Sequence, residues 1–454
     1  MAKTQHFDVV VVGGGSGLTA AYYALQDDRS VALITDRPEA MGGTCVNFGC
    51  IPTKTLIESA KTMDIIRGAS RFGIGLDQAS LHVDFAGIMA DMRSARAENA
   101  AGARQWVEQS MTPIDQRVHF VDDKLLETTT GERISGDKIF IATGARPTLP
   151  PIDGLAETGY WTNESVLELT EQPASLIIIG GGYIGAELGY FFAALGTEVT
   201  LVNPSARLLA EDEDVRELFT VEFGRRVQLV VGRALSVRGE AGDKTVEVRT
   251  ENGNRTLYAE HILLAAGRRP NSDSLDLERT GVALHEGGAI RVDDYLCTDH
   301  PDIYAYGDVI GQGMFKHTSS YEGRLAYDNA YGARETVSYD ANPHAVFSDP
   351  EIGAVGLTER ACRESGLNYA TARVDYADVA KGKIIGAPPG FAKLLFEPDS
   401  KRILGCHIIG PHAAILIHEV VVAMRHPDTQ VGRVADSIHI HPSLPEMLGS
   451  LFDQ

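Results

Sequence analysis

The chain has 454 residues, 44% hydrophobic and 23% charged, which is the balance of an ordinary globular protein of about two to four domains. A net charge of −21 argues against a surface built for nucleic acid or anionic lipid. Five cysteines do not make a secreted disulfide scaffold and fit a reducing cytoplasm, and MAKTQHF runs into DVVVV without the layout of a signal peptide.

The first predicted elements are a strand, a turn and a helix. DVVVVGGGSGLTAAYYALQDDRSVALITD (8–36) reads as an apolar strand, a glycine turn at Gly13, Gly15 and Gly17, an apolar helix, and a second strand ending on Asp36. Such a turn lets backbone N–H groups and a helix N-terminus meet a pyrophosphate, where a side chain would block the approach. A carboxylate at Asp36 suits a ribose 2′-OH. Leu18 stands where the third glycine of GxGxxG belongs, and Gly17 beside it is expected to relieve the helix packing.

GGTCVNFGC (42–50) follows. Cys45 and Cys50 stand five apart, which is neither zinc-knuckle nor thioredoxin spacing. On an ideal helix their Cα atoms would be ~8.6 Å apart. A disulfide wants less than ~7 Å. Closure therefore needs a distorted backbone, which Gly49 permits. The spacing alone leaves a staple, half a metal site and a redox pair all open.

SLIIIGGGYIGAELGYFFAALGTEVTLVN (175–203) repeats the opening unit, with Gly180 standing 167 positions after Gly13 and Asn203 standing 167 after Asp36. Gly180, Gly182 and Gly185 complete its GxGxxG. A second repeated pair, DKIFIATGARP (137–147) and EHILLAAGRRP (260–270), is offset by 123, so the first copy carries about 44 extra residues, and the cysteines lie in them. Residues 174–196 have the length of a membrane span, but their glycines and Glu187 fit a strand, a turn and a helix instead. Two dinucleotide units plus a dithiol read as an electron relay from nicotinamide to flavin to disulfide. Further on, FAKLLF, ILGCHIIG and AAILIHEVVVAM alternate apolar strands with an apolar helix, as in an α+β interface domain. Cys297, Cys362 and Cys406 stand alone and read as buried core thiols.

GGTCVNFGCIPTK (42–54), ATGARPTLP (142–150), GGGYIGAE (180–187), AAGRRPN (265–271), YAYGDV (304–309), FSDPEIGAVG (347–356) and HIHPSLPE (439–446) together resemble the class I pyridine nucleotide–disulfide oxidoreductases. That family includes dihydrolipoamide dehydrogenase, glutathione reductase, mycothione reductase and mercuric reductase. The resemblance implies an α/β fold with two Rossmann-like dinucleotide-binding domains, for FAD and NAD(P), plus a C-terminal α+β dimerisation domain. The expected divisions are an FAD-binding domain with the cysteine insertion (1–148), an NAD(P)-binding domain (149–270), a return segment completing the FAD site (271–337) and the dimerisation domain (338–454). The implied activity is FAD-dependent, NAD(P)-linked dithiol/disulfide exchange of the dihydrolipoamide dehydrogenase kind. The alternatives are NADPH-dependent reduction of a low-molecular-weight disulfide, as in mycothione reductase, and metal-ion reduction of the mercuric type. The mercuric type carries an extra C-terminal cysteine pair, and this chain ends LGSLFDQ without one.

Roles carry over residue by residue. Cys50 would lie against the flavin and Cys45 would exchange with substrate, both with lowered pKa. His441 would move protons, oriented by Glu446 in a loop that Pro442 and Pro445 stiffen. On a strand, His439 and His441 would face opposite ways and share no metal. Lys54 would stand near the flavin N5, paired with Glu187. Tyr183 would cover the nicotinamide pocket, and Asp308 would bind the ribityl chain. Further cofactor contacts fall on Gly13, Gly15, Gly17, Asp36, Gly43, Thr44, Thr143 and Gly144, and on Gly180, Gly182, Gly185, Asn203, Arg207 and Gly267. Asparagine at 203, with Arg207 nearby, is expected to accept both nicotinamides with a modest preference for NADPH. The expected partners are a small-molecule disulfide or lipoyl-type dithiol and a second copy of the chain sharing the active site. No nucleic acid or membrane is expected, and the location is cytoplasmic.

Overall fold

The computed structural model describes residues 4–77, 80–426 and 431–453; Met1 to Lys3 of the opening MAKTQHF and the final Gln454 lie outside that range. The apolar run Gln5–Val12 is a central strand, paired in parallel with Val31–Ile34 on one side and Arg133–Ile141 on the other. Val9, Val10 and Val11 are fully buried, as expected of a parallel strand covered on both faces. Thr112–Ile114 extends the sheet at one edge, and Leu125–Thr128 and Val118–Asp122 extend it at the other. Ile303–Ala305, arriving from far down the chain, pairs in parallel with the end of Arg133–Ile141.

The second copy builds a parallel sheet in the order Gln228–Val231, Glu198–Asn203, Ser175–Ile179, His261–Leu264. The repeat extends to single contacts. A Cβ on Gly13 would come 2.2 Å from the Ala142 carbonyl oxygen, and one on Gly180 would come 2.3 Å from that of Ala265. Ala142 and Ala265 are related by the same 123-residue offset as the motifs that contain them. Both glycines also have positive φ, so no other residue fits either turn. Leu18 packs partly buried against the core, while a Cβ on Gly17 would sit 2.7 Å from Val11 Cγ1. Gly17 thus provides the close helix–strand approach that the missing third glycine would have given.

Between its second and third strands the first copy carries the helices Gly43–Asn47, Cys50–Gly68 and Phe85–Ser110, where the second copy has Glu213–Phe223. Leu56, Ile57 and Met89 from these helices pack in one core with Phe191 and Phe192 of the helix Tyr183–Leu195, so the insertion joins the two nucleotide units. A short antiparallel pair, Ala145–Pro147 with Arg268–Pro270, joins them a second time.

The C-terminal part is a five-stranded antiparallel sheet in the order Pro343–Val346, Ile352–Gly356, Ile403–Ile409, Phe391–Phe396, Ala370–Asp375. The helix Ala413–Arg425 buries Leu416, Ile417 and Val420 against it. On the same helix Ile415 and Val422 are 68% and 72% exposed. Among the described residues, no helix is long and apolar enough to cross a membrane.

Candidate active site

A cleft of about 610 Å³ opens where the first glycine turn meets the inserted helices. Gly13, Gly15, Asp36, Gly43, Thr44, Cys45, Cys50, Thr143, Gly144 and Asp308 all line it. The cysteine loop closes onto the turn because Gly43, at φ +64°, leaves no room for a Cβ, which would meet Gly15 Cα at 2.6 Å. Asn47, buried behind the loop, donates to the carbonyls of Ala40, Met41 and Gly43 and fixes its shape. The glycine cradle and the adjoining carboxylate fit a dinucleotide with its pyrophosphate on the turn. Asp36 also accepts from Arg117 Nη2 at 2.9 Å.

The five-residue cysteine spacing is resolved by a break in the helix. Gly43–Asn47 ends at Phe48, Gly49 takes a non-helical φ of −141° and ψ of −107°, and Cys50 opens a new helix of 19 residues. The two thiols act on each other's titration. The neighbouring Cys45, with Lys54, brings the Cys50 thiol down to about 7 against the opposing effect of burial, while Cys50 and then burial push Cys45 well above the ordinary thiol range. The expectation that both thiols are acidified is therefore corrected. The first thiolate of the pair falls on Cys50, where a helix N-terminus stabilises negative charge.

Lys54 stands one helical turn beyond Cys50 and donates to Glu187 Oε2 at 2.6 Å. The Glu187 side chain is only 7% exposed and also accepts from the backbone N–H of Phe347. Asp308, in the turn Gly307–Ile310, is pushed up by burial and lies 3.7 Å from Arg268. Thr143 donates to the Asn271 carbonyl oxygen at 2.7 Å.

The glycine turn, Asn203, Arg207 and Gly267 of the second unit lie outside this cleft, although Glu164 lines it. Gly182 caps the helix Tyr183–Leu195, and a Cβ on Gly185 would come 2.1 Å from the Gly180 carbonyl oxygen. Asn203 accepts from the Gly181 N–H at 3.2 Å and donates to the Ser205 carbonyl oxygen at 2.8 Å. Arg207 faces the acidic helix Glu213–Phe223, 3.8 Å from Glu213 and 3.5 Å from Glu217. Gly267, at φ +103°, lies just before the strand pair that links the two units. Tyr183 donates to Glu211 at 2.7 Å, and its ring packs against Phe315 and His344.

His441 hydrogen-bonds through Nδ1 to Glu446 Oε1 at 2.7 Å, and Glu446 Oε2 accepts from the Ser443 N–H. Glu446 is held below the usual carboxylate range by His441 and then by Ser443. The His441 side chain is 71% exposed and does not line the cleft of its own chain. This stretch is a loop rather than a strand. His439 pairs with Glu419 at 2.9 Å, so the two histidines are committed to separate carboxylates. Cys362 and Cys406 are buried as expected, but Cys297 is only half-buried.

Sequence reasoning missed Lys316, Arg117, Glu211 and His344. Arg117 and Lys316 line the cleft. His344 Nε2 lies 3.0 and 2.9 Å from the two oxygens of Glu211. Burial pushes Glu211 up, but the hydrogen bonds with His344 and Tyr183 prevail and hold it down. Arg117 reaches back 81 residues to Asp36 and His344 reaches back 133 to Glu211, across separate elements, and only Lys316, shortly after YAYGDV, had a motif nearby to mark it.

Residues 7–323 match the family described as pyridine nucleotide-disulphide oxidoreductase, and residues 342–451 match its dimerisation domain, which indicates a homodimer. The dihydrolipoyl dehydrogenase of Chlamydia muridarum is 32% identical over 453 residues, covering 98% of this chain and 95% of that protein. The mycothione reductase of Mycobacterium tuberculosis is 33% identical over 465 residues, covering 98% of each. The Cu(II) complex of the HOCl-induced flavoprotein disulfide reductase RclA from Escherichia coli superposes with a TM-score of 0.87 at 28% identity, covering 99% of both chains.

Proposed function

The chain belongs to the pyridine nucleotide-disulphide oxidoreductase family, whose members bind FAD and NAD(P)H, and from that premise we propose that it exchanges electrons between NAD(P)H and a small disulfide or dithiol through Cys45 and Cys50. The observation that carries this reading is the placement of two free thiols together at the wall of a dinucleotide cleft, with Lys54 one helical turn beyond Cys50. An inert staple would need neither the acidified Cys50 nor the cation beside it.

Gly13, Gly15, Asp36, Thr44 and Asp308 are the residues we assign to holding FAD, with the pyrophosphate on the glycine turn. Bound there, FAD supplies two-electron exchange between the nicotinamide and the Cys45–Cys50 pair. The protein's own residues do the sulfur chemistry. Cys45, relieved of its proton, attacks one sulfur of the substrate; a Cys45–substrate disulfide forms and the other half leaves as a thiolate. His441 returns the proton to that leaving group, and Glu446 holds the imidazole by Nδ1 so that Nε2 faces the reaction. The Cys50 thiolate then attacks Cys45 Sγ, the second half of the substrate leaves, and the intramolecular disulfide is formed. Because His441 is exposed and outside its own chain's cleft, we assign it to the site of the other subunit.

The proposed divisions of the chain remain 1–148, 149–270, 271–337 and 338–454. Asn203 brings no carboxylate to repel a 2′-phosphate, so both nicotinamides serve, with a modest preference for NADPH. The substrate we infer is a lipoyl-type dithiol, with a low-molecular-weight disulfide as the alternative and a metal ion less favoured, relatives named for all three activities matching almost equally. The deciding experiment is a turnover panel of lipoamide, glutathione disulfide, mycothione disulfide, Cu(II) and Hg(II), each with NADH and NADPH. Rapid turnover of one disulfide is expected; turnover of the metal ions alone would overturn the reading.

A further inference from the structure

We propose that Asn163 and Arg37 are positioning residues that hold the turn between the two thiols and so favour closure of Cys45 and Cys50 to a disulfide; the inference rests on the dithiol–disulfide reading above and deepens it. The turn is formed by Phe48 and Gly49, after the helix Gly43–Asn47 has ended and before Cys50 opens the next. Asn163 Nδ2 donates to the Phe48 carbonyl oxygen at 2.8 Å. Arg37 lays its guanidinium over the Phe48 ring, with Cζ 4.2 Å from the ring centre, and its Nη1 donates to Glu164 Oε2 at 3.0 Å.

The sequence leaves the Phe48 carbonyl in need of a donor. In a continuous helix it would accept from the residue four positions on, but that residue is Pro52, which has no N–H. A carbonyl so placed must find another partner. Asn163, only 5% exposed, supplies it. The segment that carries Asn163 is itself fastened. The Trp161 N–H donates to the Ile262 carbonyl oxygen and the Leu264 N–H donates to that of Trp161, each at 2.8 Å. The cysteine loop is thereby tied to the edge strand His261–Leu264 of the second unit's sheet.

Closure joins Cys45 Sγ to Cys50 Sγ, releases two protons and passes two electrons to an acceptor; reduction reverses each change. The turn between the thiols decides how often the open dithiol presents them in closing geometry. Held at both its carbonyl and its ring, the turn leaves the dithiol little freedom to lose on closure, so the disulfide is favoured. Released, it can rotate its carbonyl toward water, and the dithiol gains freedom that closure must then remove.

The test is the equilibrium of the Cys45–Cys50 disulfide with dithiothreitol in the anaerobic holoenzyme. Dithiothreitol closes to its cyclic disulfide as the protein pair takes up two electrons and two protons. The two forms are trapped with N-ethylmaleimide and counted by peptide mass spectrometry. Asn163→Ala should raise the equilibrium constant for reduction by about three- to tenfold, the scale of one hydrogen bond, and Arg37→Met by about two- to fivefold. The Arg37 side chain is 46% exposed, so Arg37→Met keeps the test decisive if Asn163→Ala does not fold. Tyr190→Phe serves as the comparison. It removes a 2.8 Å hydrogen bond to Asp64, which joins the same two units toward the far end of the helix Cys50–Gly68, and it should leave the constant unmoved. An unmoved constant in Arg37→Met, or in folded Asn163→Ala, would overturn the proposal, as would an equal shift in Tyr190→Phe. Absence of any Cys45–Cys50 disulfide in the unsubstituted protein would instead overturn the reading above, so the two failures are told apart.

Discussion

Cys50 shows how much one backbone position does in this site. It opens a helix and stands one turn before Lys54, and Cys45 and Lys54 together bring it to about 7. Because its pKa is depressed, the thiolate is present above that value and lost as pH falls through it. The long-wavelength absorbance of the two-electron-reduced holoenzyme should therefore fade on acidification with a midpoint near 7. A midpoint near the ordinary thiol value of about 8.5 would mean that the environment does nothing to Cys50. Asn203 is a second residue with an assignable task, since it ties the Gly181 N–H to the strand end. Asn203→Glu should move preference toward NADH by roughly 1–3 kcal/mol, and Arg207→Ala should raise the KM for NADPH while leaving that for NADH nearly unchanged. An unaltered NADPH/NADH ratio in both variants would show that this strand end does not read the 2′ position.

Among the elements, one cation gathers three carboxylates where the second nucleotide unit meets the C-terminal sheet. Lys393, on the strand Phe391–Phe396, is 3% exposed and donates to Asp212, Asp214 and Glu359 at 2.8, 2.6 and 2.7 Å. Lys393→Met leaves the buried Asp212 without its cation and should cost about 3–5 kcal/mol, read as a lower denaturant midpoint. An unchanged midpoint would mean the carboxylates simply take up protons. No sequence pattern announced this cluster, because its members come from separate elements and only folding brings them together. Lys316, Glu211 and His344 escaped for the same reason. The glycine turns, by contrast, were legible, since a positive φ and a close carbonyl demand glycine locally. The cysteine spacing was legible as well, because a five-residue gap forces the break that Gly49 provides. What local reasoning misjudged was the acidity of Cys45, since the thiolate on Cys50 opposes a second negative charge beside it.

In the molecule as a whole, His441, the residue we assign to proton transfer, is exposed and lies outside the cleft that its own chain's thiols line. Ile415, Val422, Ile438 and Ile440 are exposed apolar side chains in the C-terminal part, the last two beside His441. Burying them in a homodimer would bring that loop against another subunit. His441→Ala should cut disulfide turnover by about two to four powers of ten and leave flavin reduction by the nicotinamide nearly unchanged. Mixing it with Cys45→Ser protein should restore part of the activity through hybrid dimers, and no recovery despite demonstrated subunit exchange would refute the shared site. The account rests most heavily on the placement of the thiolate on Cys50, with Cys45 as the exchanging partner. The most direct measurement of that placement is the long-wavelength absorbance of the Cys45→Ser and Cys50→Ser holoenzymes at pH 8. The band should persist in Cys45→Ser without added reductant and be absent from Cys50→Ser; the reverse pattern would contradict the account.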